Sequence, residues 1–219
     1  MRLGPWRGRD DVAHLMVGAL QPPTSENVAR CLGLLRRKGY RSVVTSALGP
    51  AESLPFVDAG FSVRERLRLL SHDLDSIPSV RHESRRGRVA DQAAVLALDH
   101  RSFRLFWQFD EDGMGSALGA TAAVRYRVVT VDGNQPVAYA ITGRASRQGY
   151  LQRIAVDPGH QGLGIGRSIV ADALRWLRRH RATGALVNTQ CDNAPALALY
   201  QSCGFSELPT GLCVMGRSL

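Results

Sequence analysis

The chain has 219 residues, of which 44% are hydrophobic and 21% charged, as in an ordinary globular protein of one or two domains. Its 28 Lys and Arg against 19 Asp and Glu give a net charge of +9. No apolar run reaches transmembrane length, and the four cysteines form neither a C-x-x-C pair nor a metal-ligand spacing. We therefore expect a cytoplasmic protein with free thiols, no bound metal and no membrane segment.

The positive charge alone does not predict a nucleic-acid partner. A basic surface can attract nucleic acid, an acidic protein or an anionic ligand. The arginines cluster at predicted helix ends and in one polar segment, and they do not form a stripe interleaved with aromatic residues. Nucleic-acid binding is therefore disfavoured and stands as a third hypothesis.

The N-terminal region is predicted to contain helices that alternate with strands. A short helix from Asp10 to Val17 is the interpretation of the first twenty residues, which Gly4, Pro5 and Gly8 interrupt. Pro22 and Pro23 then precede a capped helix start at Thr24 or Ser25. The predicted elements that follow are a helix, a strand, a helix and a strand, over residues 24–38, 40–46, 50–59 and 61–72.

A polar and basic segment, residues 79–88, is predicted to be a linker because it has no sustained periodicity. Beyond it, apolar spacing predicts two helices, a hairpin with its turn at Asp132 and Gly133, and a strand that starts at Gly149. The elements predicted in this half cover residues 89–100, 114–120, 126–142, 149–156, 169–181, 185–189, 195–202 and 205–215.

The first half reads as a degenerate copy of the second. The segments that align are 34–37 with 176–179, 43–45 with 186–188, and 58–61 with 202–205. Phe56 stands where the second half has Tyr200, and Ala19–Thr24 stands where the second half has a glycine-rich bend. Pro22 and Pro23 have no N–H to offer a phosphate, so we expect the first half to be a structural partner without a phosphate site.

That glycine-rich bend, Gln161–Gly166, lies between a predicted strand and a predicted helix. Gly162, Gly164 and Gly166 carry no side chain, so several backbone N–H groups can point at one phosphate while the helix dipole adds positive potential. The spacing disfavours two common motifs. A P-loop would need a glycine where Gln161 stands, and the G-x-G-x-x-G fingerprint fails from both Gly162 and Gly164.

The bend matches Q-x-x-G-x-G and resembles the cofactor loop of the GNAT superfamily of N-acetyltransferases. A second segment, Asn193–Phe205, is similar to the N-x-x-A-x-x-L-Y-x-x-x-G-F signature that follows this loop in the family. Two motifs in the family's order and separation are far more specific than either one. The resemblance covers about residues 89–219 and, in degenerate form, part of the first half.

The resemblance implies a fold and a domain order. The fold is α/β of the α+β kind, a GNAT-like mixed and mostly antiparallel sheet flanked by helices, with an incomplete N-terminal GNAT-like repeat. The expected domains are residues 1–78, a degenerate structural GNAT-like domain, then the linker 79–88, and residues 89–219, the catalytic domain.

The resemblance also implies acetyl-CoA as cosubstrate, a primary amine as acceptor and direct attack in a ternary complex. The implied cofactor-binding residues are Ile154, Ala155, Val156, Gln161, Gly162, Leu163, Gly164, Ile165, Gly166, Arg167, Ser168 and Asn193. Tyr200 is the implied catalytic residue that protonates the departing thiolate. Tyr200 as a simple core residue and Asn193 as a simple helix N-cap stay open.

The general base is not identified by the sequence. Glu111, with Asp110 and Asp112 beside it, is the candidate, because the family places its amine site next to this region. An exposed acidic loop explains the three residues as well. Weaker candidates are Asp99, His100 and Glu207, and aromatic candidates for the acceptor pocket are Phe103, Phe106 and Trp107.

A second hypothesis is a CoA-binding or partner-binding protein without turnover. It rests on the degenerate first half and on the missing general base. The sequence specifies neither the amine, which could belong to a small molecule or to a protein, nor the oligomeric state, and a homodimer is compatible with it.

Overall fold

The structure is a computed structural model that describes residues 1–18, 22–131 and 135–219. The chain divides into two compact units. The first consists of Met1–Leu69, Asn188–Asp192 and Leu208–Leu219, and the second consists of Leu70–Val187 and Asn193–Glu207. These units follow different boundaries from the predicted domains 1–78 and 89–219, because the last strand of the chain packs in the first unit. The predicted linker, 79–88, lies inside the second unit.

The first unit is a sheet with two helices among its described residues. Its elements are β1 (Arg2–Trp6), β2 (Arg9–Met16), α1 (Ser25–Arg37), β3 (Ser42–Thr45), α2 (Pro50–Asp58), β4 (Ser62–His72, whose last three residues belong to the second unit) and β11 (Leu212–Ser218). The strand order is β1-β2-β3-β11-β4, in which β2 and β3 are parallel and the other neighbours antiparallel. The predicted helices α1 and α2 and strands β3 and β4 are confirmed.

The predicted helix from Asp10 to Val17 is wrong, because this segment is strand β2. β1 and β2 form a hairpin whose turn residues, Arg7 and Gly8, have φ angles of 50° and 71°. Positive φ at both turn positions matches the twist of a two-residue hairpin. β2 pairs on its other side with β3, and it places Ala13 and Leu15 in the core of the unit. Tertiary pairing therefore decided a segment whose own pattern was ambiguous.

The second unit contains the remaining elements. They are β5 (Arg85–Arg86), α3 (Gln92–Ser102), α4 (Glu111–Leu118), β6 (Ala123–Thr130), β7 (Pro136–Ala145), β8 (Gln148–Val156), α5 (Ile165–Arg179), β9 (Gly184–Gln190, whose first four residues belong to this unit), α6 (Ala194–Ser202) and β10 (Ser206–Glu207). The strand order is β9-β8-β7-β6-β5, parallel only between β8 and β9. The mixed, mostly antiparallel α/β class is confirmed, whereas the predicted turn at Asp132 and Gly133 lies outside the described residues.

Helix α5 covers the sheet and thereby positions the glycine-rich bend. Its buried face includes Ile169, Leu174 and Leu177. A Cβ on Gly149 of β8 would lie 2.5 Å from Leu177 Cδ1, so glycine permits this close approach of helix and strand. At the opposite ends of the two elements, a Cβ on Gly166 would lie 3.6 Å from Val156 Cγ2, so the start of α5 lies close to the end of β8.

The units contain two helix ends with the same local hydrogen bonds. After α2, Phe61 N–H donates to Phe56 C=O at 2.9 Å, and after α6, Phe205 N–H donates to Tyr200 C=O at 3.0 Å. The glycine between them has a positive φ in both cases, 77° at Gly60 and 94° at Gly204. This agrees with the alignment of the two halves, but the incomplete repeat stays a prediction, and Ala19–Gln21 of the aligned bend lie outside the described residues.

In the described part of the chain, no helix is both long and apolar enough to cross a membrane.

Candidate functional site

Strand β8 pairs with β9 over only a third of its length. Gln148–Tyr150 pair with Gly184–Leu186, whereas β8 continues to Val156 and stays paired with β7 to its end. Among the described residues, the other edge of 151–156 therefore has no strand partner, and N–H groups on that edge remain open. Ile154, Ala155 and Val156, the residues expected to bind the acetyl carbonyl, lie in this stretch.

The bend after β8 ends in a helix start with open N–H groups. Gly162 and Gly164 have φ angles of 79° and 80°, a region that strains other residues. Gly164 is the N-cap of α5 and has no side chain to accept a hydrogen bond. The N–H groups of Ile165, Gly166 and Arg167 have no partner among the described residues. Open N–H groups and the dipole at a helix start are suited to binding an anion, so the predicted pyrophosphate site stays a prediction.

Gln161 and Leu163, the other predicted residues of the bend, are also held in place. The side-chain amide of Gln161 donates to Val156 O at 3.2 Å, which ties the bend to the end of β8. The ring Nε2 of His82 lies 2.8 Å from Leu163 O. His82 belongs to the predicted linker, so this segment supports the bend.

Ser168 is buried and binds the predicted linker, residues 79–88. Its Oγ accepts the backbone N–H groups of Arg81 and His82, each at 3.1 Å, and its own N–H donates to Gly164 O. These contacts leave the hydroxyl proton of Ser168 unused, and a phosphate contact for Ser168 stays a prediction. The sequence did not reveal this role of residues 81 and 82, because a polar segment without periodicity carries no signal for where it packs.

Two further predicted cofactor residues make structural contacts at α6. Arg167 Nη1 donates to Ser202 O at 2.6 Å. Asn193 Oδ1 accepts Ala196 N–H at 3.2 Å, which confirms the interpretation of Asn193 as the N-cap of α6. A cofactor contact for either side chain stays a prediction.

Tyr200 lies in the core of the second unit and is 7% exposed. Its ring packs against Phe205 at 5.7 Å between centroids. Burial raises the pKa of the phenol well above its usual value, with a smaller contribution from Cys203. Among the described residues no group hydrogen-bonds to its hydroxyl. Tyr200 therefore keeps its proton at neutral pH and has it available to donate.

The acidic residues at α4 separate into two kinds. Asp110 is the N-cap of α4 and accepts Gly113 N–H at 2.7 Å. Glu111 is exposed in the first turn and makes no ion pair or hydrogen bond within the described ranges. The structure thus gives Asp110 a structural role and leaves Glu111 unengaged, without a contact that joins it to the bend.

A buried ion pair next to Ile154 was missed by the sequence analysis. Arg153 of β8 binds Asp99 of α3 through two hydrogen bonds of 2.8 Å, and Arg153 Nη2 donates to Trp107 O at 2.6 Å. Tyr139 also donates to Asp99. Burial raises the pKa of Tyr139. Asp99, proposed as a weaker base candidate, is thus fully buried and paired.

Aromatic rings complete the surroundings of Arg153. Its guanidinium lies 3.4 Å from the ring centroid of Phe103 and 4.1 Å from that of Phe109. The segment 103–109, which contains the acceptor-pocket candidates Phe103, Phe106 and Trp107, is therefore fastened to β8 within the open stretch 151–156. A signal did exist, since Arg153 sits at an inward position of an alternating strand. No group of three or more potential metal ligands occurs in the parts of the chain that the structure describes.

A family model described as "Acetyltransferase (GNAT) family" matches residues 78–205, more than half of the chain. The chain belongs to the GNAT acetyltransferase family. The matched range contains the bend, the open edge of β8 and the helix of Tyr200, so the family assignment rests on the same residues as the geometry.

Two curated relatives and one solved structure are similar to this GNAT protein. It is 29% identical to mycothiol acetyltransferase of Acidothermus cellulolyticus over 192 residues, which cover 86% of this chain and 57% of that protein. It is 36% identical over 70 residues to the ribosomal protein bS18-alanine N-acetyltransferase of Escherichia coli strain K12, covering 32% of this chain and 47% of that one. A tandem GNAT protein from the clavulanic acid biosynthesis pathway superposes with a TM-score of 0.67 at 14% identity, covering 95% and 75%. The chain thus spans about half the length of these curated relatives.

Proposed function

We propose that this GNAT protein is an acetyl-CoA-dependent N-acetyltransferase that acts on a primary amine. The observation that carries the proposal is the open edge of β8 followed, after the glycine-rich bend, by the open N–H groups of α5. A thioester carbonyl and a pyrophosphate need these two kinds of donor. The names of the relatives support acetyl transfer, since one is a mycothiol acetyltransferase and the other a ribosomal protein bS18-alanine N-acetyltransferase.

The pyrophosphate of acetyl-CoA would bind the N–H groups of the bend, from Gln161 to Arg167. The residues present fit this group, because glycines keep the backbone bare and three helix N–H groups lack partners among the described residues. A Cβ on Gly162 would meet no atom within 4 Å, so the bend is open on that side. The net charge of +9 adds long-range attraction for the anionic cosubstrate.

The transfer would proceed by direct attack. The amine nitrogen adds to the thioester carbonyl carbon, and the resulting oxyanion is stabilised by N–H groups at Ile154–Val156. The C–S bond then breaks, and the amide product forms. Tyr200 gives its proton to the leaving thiolate, and the nitrogen loses its proton to a base.

For the base we propose Glu111 or a water chain that reaches it. Glu111 follows closely after the segment that Arg153 fastens to β8, and it is exposed and unengaged among the described residues. The negative first turn of α4 would also attract a cationic amine. A Glu111→Gln variant tests the role: kcat should fall at neutral pH and recover as pH rises, because hydroxide and free amine then replace the base.

The Tyr200→Phe variant tests the proposed function. It should lower kcat by about 100-fold, as expected for the loss of a general acid, and should leave the Kd for acetyl-CoA unchanged. Tyr40→Phe, in the first unit, is the control and should retain wild-type turnover. A Kd that rises in parallel with the loss of turnover would make Tyr200 structural.

A CoA-binding protein without turnover is the second candidate. One observation favours it: Asp99, a carboxylate held beside β8, is already neutralised by Arg153. Thermal stabilisation by acetyl-CoA, combined with no thiol release across a panel of amines, would support this candidate over the first.

A further inference from the structure

We propose that His72 is a positioning residue for Tyr200, an inference that rests on the proposed role of Tyr200 as proton donor. His72 is the last residue of β4 and is 4% exposed. Its Nε2 lies 3.1 Å from Cys203 O, and Cys203 is the C-cap of the helix that carries Tyr200. His72 therefore contacts this helix at its end, three residues after Tyr200.

Its hydrogen bonds determine the tautomer of the ring. The backbone N–H of Leu74 donates to Nδ1 at 2.8 Å, so Nδ1 must carry a lone pair. The ring proton is then on Nε2 and is donated to Cys203 O. Both ring nitrogens are engaged, and His72 donates to one of the carbonyls that the helix itself leaves unpaired.

Packing adds to this hydrogen bond. The ring of His72 lies edge-on to Phe205, with centroids 5.0 Å apart, and Phe205 in turn packs against Tyr200. A Cβ on Gly204 would lie 3.0 Å from Nε2 of His72, so a glycine is needed for this close approach. His72 thus reaches Tyr200 through the helix end and through one intervening ring.

The turn that follows His72 is strained at Leu74. Leu74 has a φ of 70°, an unfavourable value for a bulky residue, and its side chain is buried in the same core as Tyr200. Strain of this kind persists only where the surroundings impose it, and it concentrates at functional sites. Here the Leu74 N–H bond to His72 and the buried leucine side chain impose it.

Arg167 holds the preceding carbonyl. Its donation to Ser202 O at 2.6 Å and that of His72 to Cys203 O cap two consecutive carbonyls at the end of α6. One donor comes from the first turn of α5, directly after the bend, and the other comes from β4. We infer that this pair holds the tyrosine helix against the cofactor bend, with His72 contributing more because it is buried.

A double-mutant cycle tests the inference. His72→Leu should lower kcat by about 10-fold with an unchanged KM for acetyl-CoA, because a displaced proton donor affects the chemical step. The same substitution in a Tyr200→Phe background should change kcat by less than about 2-fold, since no donor is left to position. His72→Gln keeps a donor near Nε2 and should recover part of the loss. An equal loss in both backgrounds would overturn the inference and leave a structural role.

Hydrogen exchange provides a readout that is independent of activity. His72→Leu should accelerate exchange of the amides of Cys203, Gly204 and Phe205 and leave those within α5 unchanged. His180→Leu is the matched control, because His180 also bonds to a helix carbonyl, Trp176 O at 2.8 Å, but at the far end of α5. Unchanged exchange at 203–205 would overturn the inference. If the wild-type protein showed no turnover while His72→Leu still accelerated exchange at 203–205, only the proposed function would be refuted, and the contact of His72 with the helix end would stand.

Discussion

At the scale of single residues, the pairing of Asp99 with Arg153 explains how charge is tolerated beside the open edge of β8. Asp99 has no exposed surface, and it accepts from Arg153, Tyr139 and the backbone N–H of Phe109. A carboxylate in such a place is costly unless every lone pair is used. The same arginine is what anchors the segment 103–109 to the strand.

Replacement of Arg153 by methionine should therefore be severe. We expect a loss of about 3–5 kcal/mol in the free energy of unfolding, because Asp99 would be left charged and buried. Arg101→Met is the control, since Arg101 pairs with Asp157 while half exposed, and it should cost about 1 kcal/mol or less. Urea unfolding of both variants measures this. Equal losses of unfolding free energy in the two variants would show that the buried pair of Arg153 and Asp99 stabilises the fold no more than an exposed pair does.

Gly164, which has a left-handed backbone conformation, provides a second test at the scale of single residues. Gly164→Ala should raise the Kd for acetyl-CoA by about 10-fold, because the strained residue turns the first N–H groups of α5 away from the phosphate. Gly39→Ala is matched in strain, since Gly39 has a φ of 82° against 80° at Gly164, but it follows α1 in the first unit.

Both substitutions should destabilise the protein by roughly 1 kcal/mol, and only Gly164→Ala should change affinity. Isothermal titration with acetyl-CoA measures the difference. An equal affinity in both variants would exclude the start of α5 as the phosphate site.

At the scale of elements, the β1–β2 hairpin contains an unusual histidine. Burial, with a smaller contribution from Arg7, lowers the pKa of His14 to about 4 from the usual 6.5. Its ring lies edge-on to Trp6 at 4.8 Å. The neutral ring is therefore part of the packing that joins β1 to β2.

This predicts a defined pH dependence of stability. Between pH 6.5 and pH 4 the unfolded chain binds a proton that the folded one does not, so stability falls as the pH falls. The contribution of His14 should be about 2 kcal/mol between pH 7 and pH 5. His14→Gln should remove that part of the slope in urea unfolding followed through Trp6. An unchanged slope would show that His14 is not the group responsible.

Elements with local signals were predictable, and elements decided by distant partners were not. Thr24 and Asn193 cap their helices as the sequence predicts, because capping depends on a few adjacent residues. The sequence of β2 predicts a helix, since only the pairing of this strand with β1 and β3 reveals its period. Arg153 and Asp99 lie 54 positions apart, and such a pair has no local signature.

At the scale of the whole molecule, the proposed repeat makes the two halves unequal. Tyr200 has Phe56 as its counterpart, and both rings pack on the phenylalanine that follows, at 5.7 Å and 5.2 Å. Phenylalanine retains this packing and lacks the hydroxyl. We propose that residues 1–78 derive from a degenerate GNAT-like copy that serves a structural role.

If the first half has only a structural role, each chain has one cosubstrate site. Pro22 and Pro23 stand where the second half has its glycines and offer no N–H. Isothermal titration should give one acetyl-CoA per chain, and substitution of Gly164 should weaken that single site. Two sites of comparable affinity would contradict the structural role of the first half.

The compact units of the structure could be predicted only in part from the sequence. The two motifs, Gln161–Gly166 and Asn193–Phe205, specified the family because each needs particular residues at fixed spacing. The compact units, in contrast, do not follow the order of the chain: Asn188–Asp192 and Leu208–Leu219 belong to the first unit, and residues 79–88 belong to the second. A chain that returns to an earlier unit leaves no composition change at that boundary.

The release of free thiol from acetyl-CoA in the presence of primary amines tests the central claim most directly. The panel should include small-molecule amines and peptides that begin with alanine, with mass spectrometry of the products. We predict thiol release with at least one amine, an equal amount of acetylated product, and rates of both that are about 100-fold lower in Tyr200→Phe. Binding of acetyl-CoA with neither thiol nor acetylated amine from any member of the panel would contradict the proposal.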